Sequence, residues 1–192
     1  YKRSEGHHWP GTRSPQLDKV DKEFFKWSTK KIMTLLFPMN IEQIKWSAIQ
    51  HFQKIPYKTY GESGWVHRDN TTEFTAIIYL SHHPKSGTSL YTPKKFAVHT
   101  FHNDKKATSF KDLGNYSSGE QWRKKANAHF EKTVDLYSNF NRLVLFDGHQ
   151  WHAAENYGTK KEDRLTLITF FATIVGEGGA LIRYPIPMMR RQ

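Results

Sequence analysis

At 192 residues the chain is long enough to form one domain with a full hydrophobic core and no covalent staples. It contains no cysteine, which excludes disulfides and thiolate metal sites, so any transition metal must be held by histidine and carboxylate. The net charge of +11 suits an acidic partner, nucleic acid first, or a positive field that draws small anionic substrates; the lysines are spread along the chain rather than gathered in one block. No run of about 18 apolar residues exists and no signal-peptide pattern is visible, so no membrane partner is expected and a cytoplasmic setting is.

Residues 1–18 are polar and carry Gly6, Pro10, Gly11 and Pro15, the composition of an irregular arm. His7 and His8 lie in it without an accompanying carboxylate motif and read as surface or packing residues. Asp18 is placed to cap a helix from about Lys19 to Phe37, with Val20, Phe24, Trp27, Ile32, Leu35 and Leu36 as its apolar stripe and Pro38 as its stop. Asn40 to Phe52, with Ile41, Ile44, Ile49 and Phe52, reads as a second helix, although Trp46 and Ala48 blur the period. Both are expected to buttress a sheet.

From Ile55 the chain changes character. Glu73–Leu80, Thr88–Thr92, Asn141–Asp147 and Arg164–Val175 are rich in β-branched and aromatic residues and read as strands. Residues 94–139 are lysine-rich and read as an insertion covering one end of a barrel. Ser118 and Gln121 there form a possible capping box, and Trp122, Ala126, Phe130 and Val134 fit an amphipathic helix. Helices followed by short strands, with no βαβ alternation and no glycine-rich phosphate loop, predict an α+β, mainly β chain built on a sandwich or barrel.

The chemistry gathers around Gly64-Trp65-Val66-His67-Arg68-Asp69-Asn70. On an extended segment residues i and i+2 share a face, so His67 and Asp69 point together. They make two-thirds of a 2-His-1-carboxylate triad, which suits non-haem Fe(II) and leaves coordination positions open. The third ligand must come from a distant strand, and His149 and His152 are both candidates. Arg164 and Thr166 share a face at the head of the last long strand. A guanidinium in a barrel needs an anion, and a dicarboxylate entering from solvent would pair with it in two-pronged fashion; the competing role for Arg164 is a surface ion pair with Asp163 or Glu162.

The order His-x-Asp, a long gap, His, then Arg-x-Thr opening a strand resembles the Fe(II)/2-oxoglutarate-dependent dioxygenases, nearest to their prolyl-4-hydroxylase-like branch, over roughly Tyr57 to Ala172. The resemblance implies a double-stranded β-helix (jelly-roll) core over about 55–175, within a single domain whose arm and helices occupy about 1–54 and whose insertion occupies about 94–139. It implies that His67, Asp69 and His152 bind Fe(II) and are the catalytic centre. Arg164, helped by Thr166 and Tyr79, would hold the distal carboxylate of 2-oxoglutarate, and Tyr57 or Tyr60 would line the same pocket. Ser86-Gly87-Thr88 stands where the family has Gly-Gly-Thr. O2 is the co-reactant, succinate and CO2 the products, and a protein side chain, an amino acid or another small molecule the substrate hydroxylated. Two alternatives are a non-catalytic jelly-roll binding module and a nucleic-acid-directed oxidative demethylase. The complete ligand set argues against the first. The second usually carries another Arg six residues after the first, where this chain has Phe170. A halogenase-like relative would lack the carboxylate of Asp69.

Overall fold

The computed structural model describes residues 4–5, 11–39, 41–56, 64–69, 71–82, 86–94, 124–156 and 162–176. The chain is mainly β. Strands β1 (Ser4–Glu5) and β2 (Thr12–Arg13) precede helices α1 (Leu17–Val20) and α2 (Lys22–Leu36). Strands β3 (Ile44–Ile55), β4 (Phe74–Tyr79), β5 (Gly87–Pro93), β6 (Phe130–Tyr137), β7 (Leu143–Asp147), β8 (His152–Glu155) and β9 (Arg164–Gly176) follow. They form two antiparallel sheets, a large one in the order β1-β2-β3-β9-β4-β7 and a small one in the order β6-β5-β8. The chain passes back and forth between them, so neighbours in one sheet are distant in sequence.

Each face of the large sheet has its own core. On the outer face, Ile32, Met33 and Phe37 pack against Ile44, Phe74, Ala76, Phe171 and Ile174. On the inner face, Ile77, Tyr79, Val144, Phe146 and Ile168 meet Leu90 and Leu136 of the small sheet. A strand sandwiched in this way is apolar on both faces, which explains why β4, β7 and β9 read as near-continuous apolar runs. A third cluster of Val66, Tyr91, Phe130 and Ala153, with Trp151 against it, involves the small sheet and the segment around residue 66.

Helix α2 is capped by Asp21, whose Oδ1 accepts from Phe24 N at 3.1 Å; the cap is therefore not Asp18, which lies in the first turn of α1. Its buried face is Ser28, Thr29, Ile32 and Met33, whereas Trp27 and Leu35, expected in the stripe, are exposed. The sheet beneath explains the polar half of that face. Ser28 Oγ donates to Gln50 Oε1 at 2.9 Å, and Gln50 Nε2 donates to Thr169 Oγ1 at 2.7 Å, so a buried polar chain ties helix to sheet.

Two further expectations are corrected. Residues 44–55 form the long strand β3 after a 3-10 turn at Ile41–Gln43, not a helix. Trp46 and Ala48, which blurred the helical period, belong with Ile44 to an alternation of period two that faces α2. Likewise Phe130 and Val134 lie on β6, not on a helix: β6 is an edge strand paired with β5 from Gly87↔Tyr137 to Pro93↔Phe130, so this end of the expected insertion is part of the small sheet. Among the described residues, a helical turn covers 124–127. The expected pocket residues Tyr57 and Tyr60, and residues 95–123, lie outside the described residues. No helix among the described residues is long and apolar enough to cross a membrane.

Phe171 is fully buried and its ring stacks on Phe74 at 4.5 Å between centroids. Phe171→Ala should cost about 3–5 kcal/mol of stability, whereas Leu35→Ala, at an exposed position, should stay within about 0.5 kcal/mol; urea unfolding of the two variants checks the contrast.

Candidate metal centre

His67 and His152 face each other directly. His67 N donates to His152 O and His152 N donates to His67 O, both at 2.9 Å, an isolated antiparallel bridge. Residues paired in this way project their side chains to the same side of a sheet, and the two imidazole centroids lie 4.4 Å apart. The segment 64–67 thus lies alongside β8, and Gly64 N donating to Ala154 O at 2.6 Å continues the contact. Asn127 clamps its other side, with Oδ1 accepting from Val66 N at 2.9 Å and Nδ2 donating to Gly64 O at 2.8 Å.

Asp69 joins the histidines by the i, i+2 rule. Its N donates to Gly148 O at 2.7 Å, and Gly148 N donates to Glu73 O at 3.0 Å. Gly148 is required by close approach: a Cβ there would stand 2.1 Å from Thr72 O. Asp69 Oδ1 lies 3.6 Å from His67 Nε2 and Asp69 Oδ2 lies 3.6 Å from His152 Nε2. These separations exceed a hydrogen bond. One donor atom from each of the three residues lies within 4.8 Å of the others.

The donor set fits a divalent transition metal. An ion bonded at about 2.0–2.2 Å to each of three ligands holds them about 3–3.6 Å apart. Both histidines are also in the right tautomer. His67 Nδ1 lies 2.9 Å from Trp65 O and His152 Nδ1 lies 2.8 Å from Gln150 O. A carbonyl only accepts, so each Nδ1 carries the proton and each Nε2 keeps its lone pair for the centre. Thr75 Oγ1 donates to Asp69 Oδ2 at 2.6 Å and fixes the carboxylate. His152 is buried, and burial together with the neighbouring His67 pushes its pKa down to about 4 against a raising effect of Asp69, which keeps it the neutral base a ligand must be. The His67 side chain is 41% exposed and the His152 side chain 7%, so the group opens on the His67 side.

His149 does not join the group. It is exposed, and its backbone N donates to Asp147 Oδ1 at 2.7 Å. Arg68, between the two ligand positions, lays its guanidinium over the Trp151 ring at 4.5 Å.

Arg164 is 4% exposed, not a surface residue, and its guanidinium carbon lies 5.4 Å from the centroid of the Tyr79 ring. Asp163 pairs with Lys54 at 2.6 Å. Tyr79 and Thr166 are register partners on adjacent strands, both buried, and the Tyr79 hydroxyl shares a 2.8 Å hydrogen bond with Thr88 Oγ1 of the facing sheet. The inner face of the large sheet therefore carries Thr75 and Phe170 at the Asp69 end, then the apolar row Ile77–Ile168, then Tyr79–Thr166, then Arg164. Thr75, Gly148 and Asn127 were not foreseen, and Thr88 was met only as part of the Ser86-Gly87-Thr88 stretch. A hydroxyl inside the apolar run of β4 was the available signal for Thr75; nothing in the sequence singles out Asn127.

A second polar group lines a cavity of about 260 Å³ between β5, β6 and β8. Its carboxylates are already held: Asp135 by Ser89 at 2.5 Å and Lys132 at 3.2 Å, Glu155 by Tyr91 and, at 3.8 Å, Lys132.

The model of a family of unknown function, DUF6445, matches residues 1–171. The chain belongs to this family. No curated protein matches this DUF6445 chain. Solved structures do. EvdMO1 is similar over 90% of the DUF6445 chain and 38% of its own, at 14% identity and a TM-score of 0.51. SnoN, the non-haem alpha-ketoglutarate-dependent epimerase from nogalamycin biosynthesis, is similar over 96% of this chain and 74% of its own, at 12% identity and a TM-score of 0.52. The chain thus spans well under half the length of EvdMO1. At these identities the likeness is one of fold.

The depressed pKa of His152 predicts an acid-sensitive metal-free protein. Above pH 6.5 the imidazole is neutral folded and unfolded; between 6.5 and about 4 the unfolded chain takes up a proton that the folded chain refuses. Stability should therefore fall as pH drops through that window, and His152→Gln should flatten the fall. Urea midpoints across the window measure it.

Proposed function

We propose that this chain is an Fe(II)- and 2-oxoglutarate-dependent oxygenase on a jelly-roll core. The observation that carries the reading is the convergence of His67, Asp69 and His152 on one point, with both Nε2 lone pairs free of their backbone hydrogen bonds. The strand orders support the jelly roll: with the segment 64–67 counted beside β8, four strands of the small sheet face β3-β9-β4-β7 of the large one. The fold likeness to SnoN supports the same chemistry class.

In this reading His67, Asp69 and His152 hold the iron, which supplies oxygen activation and leaves positions open for 2-oxoglutarate and O2. The side chains do the rest. Thr75 fixes Asp69, and the carbonyls of Trp65 and Gln150 hold the imidazoles in register. Arg164 binds the distal carboxylate of 2-oxoglutarate, with Thr166 beside it and Tyr79 packed under the guanidinium. The row Ile77–Val144–Ile168 between the two ends is apolar and would limit the water beside a bound cosubstrate. The overall reaction is substrate C–H + 2-oxoglutarate + O2 → substrate C–OH + succinate + CO2. The substrate is a small molecule, an amino acid or a peptide side chain. The absence of a second arginine at Phe170 disfavours nucleic acid.

The test is Fe(II)-dependent succinate release from 2-oxoglutarate, uncoupled or with a substrate panel. His152→Ala should abolish it with the fold intact. Arg164→Lys keeps the charge and loses the fork geometry. Arg164→Ala and Arg164→Lys should weaken 2-oxoglutarate by about ten- to a hundredfold, the worth of charge-assisted hydrogen bonds of roughly 1.5–3 kcal/mol, with metal affinity unchanged. Unaltered cosubstrate affinity in both variants rejects the anchor.

A further inference from the structure

Arg68 stands between His67 and Asp69 in the chain, and Trp151 immediately precedes His152. Extending the antiparallel bridge of His67 with His152 by one step sets Arg68 opposite Trp151. Strand alternation turns this pair to the reverse side of the ribbon that carries the metal-site residues. That side is the one on which Val66, Tyr91, Phe130 and Ala153 cluster, with Trp151 packed against them. The guanidinium carbon of Arg68 lies 4.5 Å from the centroid of the Trp151 ring, and the Phe130 ring braces that indole at 4.7 Å between centroids. The backbone on either side is pinned as well. Tyr91 N donates to Trp151 O at 2.8 Å, and Asp69 N donates to Gly148 O at 2.7 Å.

The ring covers a face of the cation and leaves its N–H edge. Arg68 makes no hydrogen bond or ion pair with any described residue. Its Nε is enclosed without an acceptor, whereas Nη1 and Nη2 are not enclosed. A buried donor without an acceptor is costly. The neighbouring carboxylates are engaged elsewhere. Asp69 accepts from Thr75 Oγ1 at 2.6 Å within the metal group, and Asp147 Oδ1 accepts from His149 N at 2.7 Å. We infer that Arg68, held on Trp151, is a binding site for an organic oxyanion, a carboxylate or a phosphate monoester, on the reverse side of the metal-site ribbon. Two oxygens of such a group match Nε and one Nη of a guanidinium together, which satisfies the enclosed donor and uses the open one. The net charge of +11 favours an anionic ligand over a cationic one. The site does not depend on the oxygenase reading, and it is distinct from Arg164, which heads β9 in the other sheet.

The experiment is a fluorine NMR titration of 4-fluorobenzoate, 4-fluorophenyl phosphate and the neutral 4-fluorobenzamide into the Zn(II)-loaded protein in excess 2-oxoglutarate. At least one anion should bind about tenfold or more tightly than the amide, and the tighter of the two names the source of the oxyanion. Arg68→Gln should erase that preference, Arg68→Lys should retain part of it, and Arg164→Gln should leave it intact. Replacing Zn(II) by paramagnetic Mn(II) should broaden the fluorine signal of the bound anion, because Arg68 and Trp151 are chain neighbours of the metal-site residues. Equal binding of both anions and the amide by the parent overturns the inference, as does a preference that survives Arg68→Gln or a bound signal that Mn(II) leaves sharp. If Arg68→Gln loses its fold, Arg68→Lys decides, and an undiminished preference there overturns the inference. If the parent holds no metal, the metal-centre reading falls, and the dependence of the preference on Arg68 in the metal-free protein still tests the site.

Discussion

The direct pairing of His67 with His152 is the constraint on which the rest of the site depends. Two residues 85 positions apart are held by a reciprocal pair of backbone hydrogen bonds, so their imidazoles must lie on one side and close together. A register slip of one residue would turn either side chain to the opposite face. The surroundings guard that register. Asn127 grips the backbone on both sides of Trp65, at Gly64 O and Val66 N, Gly148 allows the chain at Thr72 to pass within backbone contact, and Asp69 N is held by Gly148 O. Each of these acts on backbone, so the site is built into the crossing of segments rather than added to its surface.

Distance along the inner face then separates roles. The Asp69 end is polar and opens past His67; the Arg164 end is buried; the intervening row is aliphatic. Charges set at the two ends of a buried apolar row are screened less than charges in water. The proposed reading would account for burying an arginine and a histidine in a protein of this size, since it gives the one a carboxylate and the other a metal.

The sequence was most readable where one face or both faces of a strand are buried. β4, β7 and β9 are apolar on both faces and announced themselves by composition, and the His-x-Asp spacing survived translation into three dimensions because i and i+2 share a face wherever the chain is extended. β3 was misread because its two faces do different things: Ile44, Trp46, Ala48 and Phe52 lie on the α2 side, while Ile49 lies on the other face and is exposed, and pooling both faces imitated a helix. β6 was misread for a related reason. As an edge strand it buries little beyond Phe130, so its lysine and glutamate content resembled a helix surface. Between His149 and His152 the residues alone left the choice open, since both follow the same strand within a few positions. Pairing with His67 puts His152, not His149, in the group, and pairing is a long-range property that no local window contains. Thr75 and Asn127 were missed because their importance lies in which distant atom they meet.

The most direct measurement is a titration of Mn(II), as a stable stand-in for Fe(II), into the metal-free protein, with free ion followed by electron paramagnetic resonance. One ion per chain is expected. Affinity should fall by more than tenfold in each of His67→Ala, Asp69→Ala and His152→Ala, and should be unchanged in His149→Ala. Equal Mn(II) affinity in the parent and the His67, Asp69 and His152 variants, or its loss in His149→Ala, would contradict a metal centre built on the pairing of His67 with His152.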